Sequence, residues 1–153
     1  MKSYWTVSGE SAYLLRMNQS KEHTISRYFT ELFNQGKVEL VDELLHPEYV
    51  NHSPGSPDQP RGREGVKAVV RALRAAFPDL AYTVEDLVVG PDAVAVRATM
   101  RGTHLGDFFG LPASGRAFAV QQMTIERFRD GRIIAHHRLT DEASLLCQLG
   151  AIG

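Results

Sequence analysis

The sequence predicts an α+β domain, a curved antiparallel sheet with helices on one face, and two observations carry that expectation. Apolar residues recur at intervals of three and four as far as Phe77, the period of a half-buried helix, and after Pro78 the interval becomes two, the period of a strand with one buried face. Helices and strands are therefore segregated along the chain, which is the α+β pattern. With 153 residues, 43% of them hydrophobic and 23% charged, the chain has the size of one domain and the composition of a globular one.

Ser20, as N-cap, precedes the apolar set Ile25, Tyr28, Phe29, Leu32 and Phe33, and Gly36 stands where a helix-ending residue belongs, so a first helix is expected between them. Val38, Val41, Leu44 and Leu45 continue at helical spacing to Pro47 as a short second helix, and His46 to His52 reads as a brief extended piece. Ser53 to Gly62 holds three prolines and two glycines and is expected to be a loop long enough to cover a pocket. A third helix runs from Arg63 to Phe77. Four strands follow, Tyr82 to Val89, Ala93 to His104, Ala117 to Arg129 and Arg132 to Thr140. Leu145, Leu146 and Leu149 close the chain with a helix capped by Thr140 or Asp141 and ended by Gly150. Residues 1–16 show no clear period and read as an N-terminal extension, with Met17 a second candidate start, leaving 17–153 as a single domain.

Composition removes several function classes. The 17 basic residues against 18 acidic ones supply no field for a phosphate backbone, so a nucleic-acid partner is not expected. A lone cysteine, Cys147, permits no internal disulfide and no thiolate zinc site, and a cytoplasmic location is expected. Apolar runs are far shorter than the ~20 residues needed to cross a bilayer, so neither a membrane span nor a signal peptide is expected. Glycine-rich phosphate loops and nucleophile-elbow motifs are missing from the sequence.

Arg129-Asp130-Gly131 reads as a three-residue hairpin loop, and counting back from it sets Glu126 opposite Ile134, Thr124 opposite His136, and Gln122 opposite Arg138. Side-chain alternation then gathers Gln122, Thr124, Glu126, Ile134, His136 and Arg138 on one face, with Met123, Ile125, His137 and Leu139 on the other. The polar face is either solvated or the lining of a cavity.

Phe33-Asn34-Gln35-Gly36, His46-Pro47-Glu48-Tyr49-Val50-Asn51, Gly102-Thr103-His104-Leu105-Gly106 with Gly110-Leu111-Pro112, Asp130-Gly131-Arg132-Ile133, and Leu145 to Gly150 occur in this order. In these the chain resembles the SnoaL-like polyketide cyclase family, within the nuclear-transport-factor-2-like (NTF2-like) group of cone-shaped domains. The resemblance implies three N-terminal helices and a short C-terminal one around a curved sheet of four to five strands, a deep apolar pocket faced by the polar hairpin residues, and a homodimer or higher homo-oligomer on the outer sheet face. It also implies ring closure of an aromatic polyketide methyl ester by intramolecular aldol addition, without a cofactor. The family's proton-transferring aspartate would fall seven residues after Gly131, where this chain has Arg138, and a pocket histidine seven before it, where this chain has Thr124. Arginine stays protonated and cannot serve as the base, but its fork of donors suits a carboxylate, enolate or phosphate oxygen.

Glu126 and His136 are diagonal neighbours in the counted register and form the candidate catalytic acid/base pair, the alternative being a structural hydrogen bond. Asn51, His104, Gln122, Thr124 and Arg138 are the candidate substrate-binding residues, although His104 continues the apolar face of Val94, Val96, Ala98 and Met100 and reads better as a hydrogen-bonded core or rim histidine. The histidines show no metal-ligand spacing, so no metal is expected. The expected function is cofactor-independent binding of an apolar, oxygenated, polyketide-like small molecule, with aldol-type cyclisation or isomerisation. The alternatives are an epoxide-hydrolase-like or hydratase-like enzyme using water held by Asn51 and an acid such as Glu126, and a non-catalytic binding or dimerisation module.

Overall fold

The computed structural model describes residues 8–153. Helix α1 (Gly9–Arg27) starts at Ser8, whose Oγ accepts from the Ser11 amide at 3.2 Å. Ser20 is therefore mid-helix and not the cap. Residues 9–16, read from the sequence as an extension, form the opening turns of α1, whereas 1–7 lie outside the described residues. No period is legible there because Tyr13, Leu14 and Leu15 are all more than half exposed, so packing selects no apolar face.

Past Arg27 the helix widens into a π turn over Tyr28–Phe33, closed by the Asn34 amide donating to the Phe29 carbonyl at 3.0 Å. This turn buries Tyr28, Phe29, Leu32 and Phe33 together, and widened turns of this kind are frequent at functional sites. The Asn34 side chain then pins the helix end to the sheet, donating to the Tyr82 carbonyl at 3.0 Å and accepting from the Tyr82 amide at 2.7 Å. A 3₁₀ turn (Val38–Leu40) and α2 (Val41–Leu44) lead into β1 (Leu45–Asn51), and a loop precedes α3 (Gly62–Ala76). After these come β2 (Ala81–Val89), β3 (Ala93–Thr103), β4 (Ala117–Arg129), β5 (Arg132–Thr140) and α4 (Glu142–Leu149). Asp141 caps α4 and Gly150 ends it in the left-handed region at φ 78°.

The five strands form one sheet in the order β1-β5-β4-β3-β2. It is mixed rather than wholly antiparallel: β1 runs parallel to β5, a pairing open to it because the long intervening chain imposes no hairpin. The β4–β5 connection also differs from the count. Asp130 (φ 52°) and Gly131 (φ 74°) are both left-handed, so the loop has two residues, with Arg129 opposite Arg132. A bulge then leaves Ile134 without a partner, and the register becomes Glu126 opposite His136, Thr124 opposite Arg138 and Gln122 opposite Thr140. Ile133, not Ile134, accordingly enters the core, where it is fully buried. The polar residues keep their predicted face because the loop and the bulge together move the register by two, which preserves the alternation. Among the described residues no helix is long and apolar enough to cross a membrane.

Candidate functional site

Three levels of the sheet's inner face build the site. Asn51, His136, Glu126 and Val94 stand side by side on β1, β5, β4 and β3; the next level holds Arg138, Thr124 and Val96, and the next Thr140, Gln122 and Ala98. A cavity of about 310 Å³ lies between this face and the π turn, α3 and α4. Its walls are apolar: Phe29 and Phe33, Val66, Val69 and Leu73, Leu145 and Leu146. At its mouth Phe109, left-handed at φ 48° and 62% exposed, reaches across toward Gly55 of the 52–61 loop.

His136 lines the cavity, and its Nδ1 lies 2.7 Å from Oε1 of Glu126. The carboxylate is fully buried behind the ring, and its Oε2 has no partner. A carboxylate accepts only, so Nδ1 carries the hydrogen and Nε2 is left able to take a proton. The pair is thus brought together as expected, but only His136 meets the cavity.

Apart from the Glu142 carboxylate at the exposed rim, the other polar groups that line the cavity present donors. Asn51 Oδ1 is used by the Ser53 amide at 2.8 Å, which leaves its NH₂ free. Arg138 donates to Thr140 Oγ1 at 2.7 Å, and Thr140 has one proton, which it gives to Gln122 Oε1 at 3.1 Å, so the free end of Gln122 is also its NH₂. Tyr28 and Tyr49 add two phenols without a hydrogen-bond partner among the described residues, whereas the Tyr82 hydroxyl turns to Met100 Sδ at 3.4 Å. Burial, reinforced by the charge of Glu126, raises the Tyr28 and Tyr49 phenols far above their ordinary range; burial raises Tyr82 too, partly offset by Arg138. All three remain neutral hydrogen-bond donors at any physiological pH.

Of the substrate-binding candidates, Asn51, Gln122 and Arg138 line the cavity; Thr124 and His104 do not. Thr124 is 3% exposed, its hydroxyl unpartnered, and its short side chain ends below the cavity surface between Arg138 and Val96. His104 sits among Phe77 and Phe108, and its Nδ1 accepts from the Ser114 amide at 3.2 Å, tying down the 105–116 loop. Tyr28 and Tyr49 escape a reading of the sequence because a phenol at a helical or strand core position scores as apolar; the one signal is that Tyr49 adjoins Asn51 within the His46-to-Asn51 motif. Among the described residues no cluster of three or more His, Cys, Asp or Glu could hold a metal ion.

The model of the SnoaL-like polyketide cyclases matches residues 23–149. Aklanonic acid methyl ester cyclase DnrD of Streptomyces peucetius is 34% identical over 136 residues, covering 86% of this chain and 92% of that one. Nogalonic acid methyl ester cyclase of Streptomyces nogalater is 31% identical over 120 residues, with 77% and 89% covered. Among solved structures, TsrD from Streptomyces laurentii superposes with a TM-score of 0.80 at 34% identity, over 88% of this chain and 97% of that one. IdmH from Streptomyces antibioticus gives 0.73 at 39%, over 85% and 98%. Sequence and fold agree over the segments that build the cavity, and the chain belongs to the SnoaL-like polyketide cyclase family.

Proposed function

We propose that this protein closes a ring in an apolar, carbonyl-rich polyketide-like substrate by intramolecular aldol-type addition, without a cofactor. The observation that carries the proposal is an apolar cavity whose inner polar groups are donors apart from one imidazole nitrogen, His136 Nε2, backed by a buried carboxylate, with the Glu142 carboxylate confined to the exposed rim. Ketone and quinone oxygens only accept, so they complement such a lining. His136 Nε2 takes the proton from a carbon next to a carbonyl, and the resulting enolate oxygen is held by the amides and phenols. The enolate carbon attacks a second carbonyl of the same molecule, the new C–C bond forms, and the alkoxide recovers the proton from His136. The reaction is an isomerisation, needing no external reductant or oxidant. The apolar walls supply the folded conformer that brings the two carbons together.

Glu126 acts here by positioning His136. Sealed behind the ring, it cannot hold a water in the cavity, which counts against the hydratase alternative. We further propose a cytoplasmic homo-oligomer formed on the outer sheet face, where Met123, Ile125 and Leu139 are 58%, 46% and 81% exposed. Light scattering with Ile125→Lys against the unaltered chain tests the assembly; a monomeric unaltered chain overturns it.

The activity test offers a tricyclic aromatic polyketide as methyl ester and as free acid, and follows a change of chromophore at unchanged mass. Conversion of at least one, reduced about 10²–10⁴-fold in His136→Ala, is expected. Conversion of neither, or full activity in His136→Ala, defeats the reading.

A further inference from the structure

Arg138 is the one arginine or lysine on the cavity wall among the described residues, and its surroundings use only part of its donor capacity. Of the five guanidinium N–H groups, one makes a short bond, to Thr140 Oγ1 at 2.7 Å, and a second reaches the Ser53 carbonyl at 3.4 Å. The nearest carboxylate, Glu142, stands 3.8 Å away at the rim and is 71% exposed, a screened pair that contributes little. The side chain, 24% exposed, is nonetheless held in place. Thr140 and Gln122 extend its hydrogen bond into the wall, the Arg138 amide donates to Ser53 Oγ at 2.9 Å, and its charge is felt at Tyr28 and Tyr82 across the cavity.

We infer that the ligand of this cavity carries a free carboxylate, seated on the Arg138 guanidinium, and that the site selects a polyketide acid over its neutral methyl ester. The substrate class named here rests on the cyclase reading, whereas the binding preference is independent of turnover. A neutral ester filling the cavity would strip water from the guanidinium and give back one weak acceptor, leaving a charge desolvated beside an apolar body. A carboxylate offers two anionic oxygens in the plane that the fork of donors matches. The lining amides and phenols cannot take its place, since they bring no charge. Arg138 lies two residues from His136 on the same face of β5, about 7 Å along the strand. The carbon presented to the imidazole is therefore separated by a few bonds from the carboxyl group, which serves as an anchor and not as the reacting carbonyl.

Titration calorimetry with anthraquinone-2-carboxylate and with its methyl ester tests the assignment. The unaltered protein is expected to bind the acid about 10- to 100-fold more tightly than the ester. Arg138→Gln should bring that ratio to about one while leaving ester binding in place, and Glu142→Gln, which removes the competing rim carboxylate, should tighten the acid alone. Equal binding of the two probes by the unaltered protein, failure to bind the acid, or an acid preference that survives Arg138→Gln overturns the inference. The first two readouts need no variant to fold. A protein that prefers the acid but converts neither polyketide would retain this inference and lose the cyclase reading; one that converts either polyketide but binds the two probes equally would do the reverse.

Discussion

Glu126 and His136 face each other across β4 and β5, and the buried carboxylate holds the ring nitrogen at 2.7 Å. The bond fixes both the tautomer and the ring plane, so that Nε2 is presented to the cavity without rearrangement during the reaction. Glu126→Gln keeps the shape but offers an amide whose NH₂ can no longer specify Nδ1–H. Its turnover is expected to fall about 10²–10⁴-fold with an unchanged circular dichroism spectrum. Full activity in this variant would remove Glu126 from the mechanism.

The same pair is expected to weaken the fold. Glu126 is fully buried with Oε2 unpartnered, and burying an ionisable pair is often matched or exceeded in stability by apolar residues of similar volume. The double variant Glu126→Leu/His136→Leu should therefore be inactive, yet as stable as the parent or up to about 4 kcal/mol more so in urea unfolding. Glu126→Ala alone, which strands the imidazole beside a void, should lose about 3–5 kcal/mol. A double variant less stable than Glu126→Ala would show the pair to be a structural element of the sheet.

Tyr28 and Tyr49 offer phenols to the ligand, and Tyr82 does not, because its hydroxyl is turned to Met100. If the phenols hold the developing enolate, Tyr28→Phe and Tyr49→Phe should each lower kcat about 10- to 1,000-fold with little change in KM, whereas Tyr82→Phe should leave both nearly unaltered. Equal effects at all three positions would mean that these rings act through packing alone.

The strands, the inner-face residues and the helical segments that bury an apolar face were legible because they depend on local periodicity, which the sequence carries directly, whereas the exposed first turns of α1 carry no such period. The parallel β1–β5 pairing was not, since no local pattern records which distant edge a strand will join. The hairpin shows how a wrong count can keep a right face. Counting from the sequence places Arg129 in the loop although it pairs with Arg132, and no sequence signal marks the bulge at Ile134; the two shifts sum to an even number, so Gln122, Thr124, Glu126, His136 and Arg138 still point inward while every cross-strand partner differs. Depth along that face was illegible too. Thr124 and Glu126 alternate correctly yet stop short of the cavity, because reach depends on the neighbouring side chains rather than on register.

The three raised tyrosines make alkaline stability a test of the cavity's interior. Below about pH 10 the phenols are protonated in the folded and unfolded chains alike, and their contribution is fully present. Above it the unfolded chain releases protons that the folded chain keeps, because burial raises Tyr28, Tyr49 and Tyr82 above the ordinary phenol range. Each such tyrosine then lowers stability by about 1.4 kcal/mol per pH unit, and three together by about 4. A domain of ordinary stability should consequently unfold between about pH 11 and pH 13, with its ellipticity and most of its phenolate absorbance changing in one step. Tyr28→Phe removes one of the three and should make the decline of urea stability with pH shallower by about a third. Ionisation of four or more tyrosines while the ellipticity stays native would show that water reaches these phenols freely, and that burial does not hold them as neutral donors for the enolate.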